Sequence, residues 1–501
     1  MPWTRKTSTF STMTQPRFDY DVVVVGGGGS GLAAAVSAAE RGLRVVLLEK
    51  QPQLGGTTGI AIGSFTANRT RFQRKQSIQD DPIQHNEDAA LFAPLDIEAR
   101  GNGELRQFFL EHAAATLAWL EGFGLSFHGP SPEPPNRVAR MHNVVPNAKA
   151  YIAALQRRLI RLKGAIIVNA RTESLLRDGD RVVGVEAARN GAREQYLAAR
   201  GVVLAAGDYA NNPGMIAEHK GADFGGIEGI NPFSTGEGQQ LVASAGGKLL
   251  NMDVTYGPEL RFVPPPRNPL SQLLPSSGPA ARLMAWLVPL LPKPVVTGMI
   301  KRLLVTWQHP ENALFEDGAV LINQQATRFC DETQCPLREI AVADQPDKIA
   351  YMLMDAELAE RYSKWPHFIS TAPDIAYAYT DDYLRLRPDV AIEARSWGEL
   401  AAKRALPSRL TLTAEGCPPP KRAFRGDRFV LLGPVKGYFT TTEGGAAIDR
   451  RFRVLDENGQ PIPGLHAVGQ TGLGGQILWG HGLHIAWAMT SGRLVGEELA
   501  R

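Results

Sequence analysis

The sequence predicts an α/β fold: a Rossmann-like parallel sheet, split along the chain, with an inserted α+β domain. Three observations predict it. Residues 18–25 read FDYDVVVV, and four consecutive valines suit a strand buried on both faces, as in a parallel sheet. A glycine run, Gly26–Gly31, then opens an alanine-rich helix, LAAAVSAAERG, and LRVVLLEK follows as a second buried strand ending at Glu49. Together these make one βαβ unit. Finally, residues 463–501 read as strand, glycine-rich loop and long helix, a return to the same sheet.

The remaining elements follow in chain order. Apolar periodicity predicts helices over 103–122 and 146–163. Residues 165–205 alternate short strands with turns, and RDGD at 177–180 is a hairpin turn. A helix is expected over 235–250. From about residue 260 the chain becomes rich in proline and apolar residues. The expected organisation is a flexible tail over 1–17, the first part of the dinucleotide domain over 18–259, a cap over 260–427 with an apolar proline-rich insert at 261–307, and the second part over 428–501.

Composition bounds the function. In 501 residues, 44% hydrophobic and 21% charged residues exclude a mostly disordered chain and leave room for about two to four domains. A net charge of +3 without a long basic block argues against nucleic acid as a partner. Three cysteines, Cys330, Cys335 and Cys417, are too few for a disulfide framework and fit a reducing, cytoplasmic setting. The first 17 residues lack the apolar core of a secretory signal. No run of 18 uncharged apolar residues predicts a transmembrane helix.

Gly26-Gly27-Gly28-Gly29-Ser30-Gly31 fits G-x-G-x-x-G, and its context makes the match specific: a strand before it, a helix after it, and an acid, Glu49, eighteen residues beyond Gly31. Gly26, Gly28, Gly29, Ser30 and Gly31 would let the backbone approach a pyrophosphate at a helix N-terminus. Glu49 would accept hydrogen bonds from a ribose hydroxyl, and its charge disfavours a 2′-phosphate. Gly55, Gly56, Thr57, Thr58 and Gly59 follow the second strand, where a flavin and its pyrophosphate would lie. No second dinucleotide fingerprint occurs in a βαβ setting, so one site, used by FAD, is the reading.

The segments DYDVVVVGGGGSGLAAAVSAAERGLRVVLLEKQPQLGGTTG, GVVLAAGDYANNPGMI, STGEGQQLVASAGGKL, GAVLINQQATRFCDE and PIPGLHAVGQTG resemble, in this order, the landmarks of the fumarate reductase and 3-ketosteroid dehydrogenase flavoprotein superfamily. The resemblance implies a split FAD domain with the substrate held at the flavin beneath an inserted cap. It adds Lys50, Ala170, Ala206, Gly207, Gly469, Gly482, Leu483 and Ile485 to the expected cofactor contacts. Thr440–Gly445 stands where fumarate reductases carry His-Thr-Met-Gly-Gly, and Trp479-Gly480-His481-Gly482-Leu483-His484 stands where they carry Arg before Gly-Gly-Asn-Ala. A dicarboxylate needs cationic clamps, so MDVTYGP (252–258) and GHGLHIAWAMTSG (480–492) place the chain closer to the 3-ketosteroid Δ1-dehydrogenase-like branch. GGTTGIAIGSFTANRT has no histidine for a covalent flavin bond, so non-covalent FAD is expected.

Such enzymes move two hydrogens across a carbon–carbon bond beside a carbonyl, and need a proton carrier and donors that polarise the carbonyl. Tyr438 is the first candidate for the base, Tyr256 a pocket residue, Glu443 a rival acid or base, and Arg140 with His142 an electrophilic pair. His481 and His484 are too few to bind a metal, and none is expected. Residues 280–306 are too short and too broken by proline to span a bilayer. They read either as buried cap helices or as an interfacial patch that admits a lipophilic substrate from a membrane. The expected activity is desaturation of a 3-ketosteroid or other cyclic ketone. The alternatives are reduction of an enone or α,β-unsaturated acid, and a non-catalytic flavin- or lipid-binding protein. No haem or iron–sulfur motif names the electron acceptor.

Overall fold

The computed structural model describes residues 18–265, 308–372, 376–413 and 416–501, with a few residues between 283 and 306. The expected tail, 1–17, lies outside them. The first sheet has the order 453–455, 461–467, 192–204, 20–25, 45–48, 165–167, with strands 171–178 and 181–189 appended through 192–204. Tyr20–Val25 is flanked by parallel neighbours, Val45–Leu48 and the end of Ala192–Leu204. Pro461–Ala467 joins the far side of Ala192–Leu204, also in parallel. The sheet is therefore assembled from both ends of the chain. Val22, Val23 and Val24 have no exposed surface, nor do Val46 and Leu47. A strand covered on both faces has this continuous apolar pattern, and each such side chain contributes about 1.5–3 kcal/mol.

The two ends are also locked by helices. Gly29–Glu40 packs along Leu483–Glu498 at backbone contact distance. A Cβ at Gly492 would sit 2.3 Å from the Ser30 carbonyl oxygen, and one at Gly496 would sit 2.6 Å from the Ala38 nitrogen. Ser37 Oγ donates to the Arg493 carbonyl at 2.6 Å across the same contact.

The expected helices form over Gly103–Gly122 and Lys149–Arg161. The hairpin at 177–180 forms with Asp178 opposite Arg181. The helix expected over 235–250 is shorter, Glu237–Ser244. Gly246 takes a left-handed φ of 80° and turns the chain into a short strand, Leu249–Leu250.

A second, mostly antiparallel sheet centres on the long strand Phe429–Phe439, which pairs with Ala350–Asp355, Ala391–Ala394 and Glu259–Phe262. Glu228–Gly229, inside the stretch expected to belong to the first domain, also pairs with it. The second sheet has its own core, including Met352, Leu432 and Phe262. A small third sheet, Ser64–Thr66, Met141–Val145 and Ser126–Ser131, lies beside the start of the last helix. The apolar run at 280–306 lies mostly outside the described residues; within it Leu283 and Leu287 are exposed and Leu304 and Val305 buried. Among the described residues no helix is long and apolar enough to cross a membrane.

Candidate functional site

The glycine loop divides its work. Gly26 has φ 111°, and a Cβ there would meet the Ala205 carbonyl oxygen at 2.3 Å. A Cβ on Gly31 would lie 1.9 Å from the Gly26 carbonyl oxygen. Those two glycines let strand, loop and helix touch. Gly28 is different: nothing lies closer than 3.9 Å to its Cβ position. It is also the N-cap of Gly29–Glu40, with no side-chain cap. The first-turn N–H groups therefore stay available beside an open face, the arrangement a pyrophosphate needs. On the helix side Gly29 abuts Thr58, whose Oγ1 would be 2.6 Å from a Cβ.

Glu49 is buried, and its carboxylate is oriented by main-chain donors, Gly27 N at 2.7 Å and Gln51 N at 2.8 Å. Ala170 N bonds the Glu49 carbonyl, which brings Ala170 to the same end of the cleft. Gly55 N donates to the Gly27 carbonyl at 3.0 Å and starts the short helix Gly56–Ile60. Thr57 Oγ1 accepts from Asn231 Nδ2 at 2.9 Å. Ser30 lies against Gly469, where a Cβ would meet Ser30 Oγ at 2.5 Å. Gly207 takes φ 87° after Ala206 and accepts from Gln239 Nε2 and Thr471 Oγ1. Gly482, φ 83°, starts Leu483–Glu498 without a side-chain cap, which opens a second uncapped helix start at Leu483 and Ile485. The ammonium of Lys50, an expected cofactor contact, is held by Glu237 at 2.9 Å and Thr235 at 2.6 Å. The donors, the open face and the buried acid together fit a dinucleotide such as FAD.

At the junction of the two sheets the sequence candidates separate. Arg140 has no exposed surface in its side chain, and its guanidinium is bound to Asp80, Asp88 and Asn136. His142 is buried against Thr70 Oγ1 at 2.9 Å, and burial drives its pKa down to about 4. This pair is built into the scaffold of the third sheet and does not serve as an electrophile: its donors are already satisfied inside the protein. Tyr438 lies on Phe429–Phe439 opposite Glu259 and Glu228. Burial, with the Glu228 charge, pushes its phenol up to about 12. Tyr256 is raised by burial, with Glu259 adding. A phenol acts as a base only when cations or donors lower its pKa; here the surroundings do the reverse for both.

Tyr256 instead stacks on Trp479, with ring centroids 5.6 Å apart and planes 19° apart. Glu443 is fully buried. One carboxylate oxygen meets His484 Nε2 at 2.9 Å, and Oε2 has no hydrogen-bond partner. Four groups enter the site that sequence reasoning did not single out: Glu133, Glu259, Arg261 and His309. Arg261 donates to Glu259 at 2.8 Å and to Thr440 Oγ1 at 3.2 Å. Burial opposes ionisation of Glu259, but the Arg261 and His309 charges outweigh it and hold the carboxyl below its ordinary range. Arg338 is likewise tied, to Glu339 at 2.9 Å. Glu133 accepts the His481 main-chain N–H at 2.8 Å and also contacts its Nδ1. The alternation E-L-R-F at 259–262 was the available signal for Glu259 and Arg261; Glu133, within SPEPP, had none. Among the described residues no group of three or more His, Cys, Asp or Glu is placed to hold a metal ion.

Fold and site together define a dinucleotide-binding oxidoreductase with an inserted second sheet. The chain belongs to the FAD binding domain family, which matches residues 21–268 and 280–480. It is an FAD-dependent oxidoreductase. It is 26% identical over 497 residues to a fumarate reductase (cytochrome) of Shewanella frigidimarina, covering 97% of this chain and 78% of that one. It is 25% identical to a vinyl phenol reductase of Lactiplantibacillus plantarum, covering 98% of each. Its fold resembles the open conformation of a flavocytochrome c3 fumarate reductase (TM-score 0.71, 22% identity, 97% of this chain and 78% of that chain). It also resembles a 3-ketosteroid-Δ4-(5α)-dehydrogenase from Rhodococcus jostii RHA1 (TM-score 0.59, 21% identity, 98% of each chain).

Proposed function

We propose that this protein reduces a carbon–carbon double bond conjugated to a neutral polarising group, on a ring-bearing substrate such as a cyclic enone. The loop glycines, Glu49, Gly55–Gly59 and the start of Leu483–Glu498 hold the FAD in this reading. When bound, FAD supplies the two-electron chemistry. One observation carries the choice of substrate: Arg261 and Arg338, two cations close to the junction, are each already paired with a carboxylate. A dicarboxylate such as fumarate would have to break those pairs, and a buried charge that loses its partner costs about 3–5 kcal/mol. The stacked Tyr256 and Trp479 offer a flat apolar wall to a ring. Glu133, Glu259 and Glu443 add acceptors that repel an anion.

The similarity to reductases of alkenes at 25–26% identity supports this direction. The reverse reaction, desaturation of a cyclic ketone, is the second reading, favoured by the same aromatic wall. Both take a lipophilic ring-bearing compound as substrate and need an electron partner.

The test is anaerobic. Dithionite-reduced protein is mixed separately with a cyclohexenone, a vinyl phenol, a 1,4-diene-3-ketosteroid and fumarate, and flavin reoxidation is followed at its visible band. Reoxidation by a ring-bearing compound but not by fumarate is the expected outcome. Fast reoxidation by fumarate overturns the substrate class. Bleaching of the oxidised protein by a saturated cyclic ketone, without reoxidation by any alkene, establishes the second reading instead.

A further inference from the structure

We propose that His481 is the acid–base residue of this site, exchanging a proton through Nε2 with the substrate carbon beside the polarising group, and that Glu133 is its positioning residue. The inference rests on the reading above. His481 lies between Trp479, which forms the aromatic wall, and Gly482, which starts the last helix. Glu133 comes from a loop beside the third sheet and is buried. It grips His481 twice, through the main-chain N–H at 2.8 Å and through Nδ1 of the ring. A carboxylate on Nδ1 fixes both the ring plane and the tautomer, so the exchangeable proton is carried by Nε2. Nε2 has no hydrogen-bond partner among the described residues, and the side chain is half-exposed, at 51%. It borders a small cleft shared with Glu133, Thr66 and Phe92.

The rival groups are engaged elsewhere. Glu443 is sealed from solvent against His484, Glu259 is held by Arg261, and His85 is buried against Asn68. The groups facing His481 are Glu133 on the third-sheet side and Glu259, Arg261 and His309 on the cap side, with His85 in the same cleft. Partial desolvation of the half-exposed ring works against the imidazolium, but the Glu133 hydrogen bond and charge, aided by Glu259, hold its pKa above the ordinary value. An acid whose pKa is held up by a paired carboxylate suits alkene reduction.

In that direction His481 gives its Nε2 proton to the α carbon. Reduced FAD, held by the glycine loop and the start of Leu483–Glu498, would supply the hydride equivalent that the β carbon needs. The π bond breaks, two C–H bonds form, and neutral His481 regains a proton from water.

The experiment uses the holoenzyme with 13Cε1-labelled histidine, the His481 signal being assigned from His481→Gln. His481 is expected to titrate above about 6.5, and in Glu133→Gln its midpoint should fall by about one pH unit or more. A His481 midpoint at or below 6.5, or one unmoved by Glu133→Gln, overturns the dyad. In turnover, His481→Gln should lower kcat about 100-fold or more with KM little changed. Glu133→Gln should move the alkaline limb of the pH–rate profile downward. Normal kcat in a folded, FAD-replete His481→Gln overturns the proposal, and His481→Asn is the second variant should the first not fold. If the wild type turns over no alkene, the substrate reading fails, while the histidine titration still decides the dyad.

Discussion

Alanine at Gly28 and alanine at Gly31 should fail in different ways, because the same motif places one glycine against protein and the other against cofactor. At Gly31 the new methyl would lie 1.9 Å from the Gly26 carbonyl oxygen. Backbone cannot swing aside as a long side chain can, so the loop and helix must separate. Such overpacking costs about 1–3 kcal/mol. With an unfolding entropy of roughly 2.1 cal/mol/K per residue over a cooperative unit of about 300 residues, a 2 kcal/mol loss lowers Tm by about 3 °C. At Gly28 the nearest atom is 3.9 Å away, and φ −79° with ψ −170° suits any residue. The apoprotein should therefore keep its stability within about 1 kcal/mol, the cost of a poorer N-cap. The methyl would instead stand where the diphosphate approaches. Losing one charge-assisted hydrogen bond is worth about 1.5–3 kcal/mol, or roughly a 10- to 150-fold weaker Kd. The assay is thermal melting of the apoproteins by circular dichroism, paired with calorimetric titration of FAD. The reasoning is refuted if Gly28→Ala melts as low as Gly31→Ala without FAD, or if Gly28→Ala binds FAD as tightly as wild type.

Other outcomes follow from the same geometry. Glu443→Ala leaves His484 Nε2 without its hydrogen-bond partner and should cost about 1–3 kcal/mol in urea unfolding, whereas Glu443→Gln, which keeps an acceptor for His484, should cost under half of that. His481 has a raised folded pKa, so its pairing with Glu133 should stabilise the protein fully below about pH 6.5 and lose that contribution as pH rises through the folded value. The stability gap between wild type and Glu133→Gln should therefore narrow toward alkaline pH, and a gap that widens is inconsistent with it. His142 and His466 are each held near 4 by burial, so they oppose folding as pH falls from about 6.5 toward 4; His466→Gln should flatten the acid side of the stability profile. Acid precipitation should leave the flavin in the supernatant, since no histidine stands in the 55–70 segment; flavin retained in the pellet would show a covalent bond.

What the sequence determined by itself is what is local or periodic. Val22–Val25, the glycine loop and Glu49 lie within thirty residues of one another, and their spacing alone specifies strand, turn, helix and acid. The returning strand and helix at the C-terminus were legible for the same reason. The candidate site at the junction was not, because its members come from distant segments brought together only by packing. Glu133 meets His481 across 348 positions, and Glu443 meets His484 across 41. Arg140 and His142 look reactive in RVARMHNV, but Asp80 and Asp88 neutralise Arg140 from 60 and 52 positions away. A phenol, a guanidinium or an imidazole has no fixed chemistry in a sequence. Burial and the partner brought by the fold set its charge: in Tyr438 burial and the Glu228 charge both push the phenol's pKa up, whereas in His481 the Glu133 pairing outweighs burial.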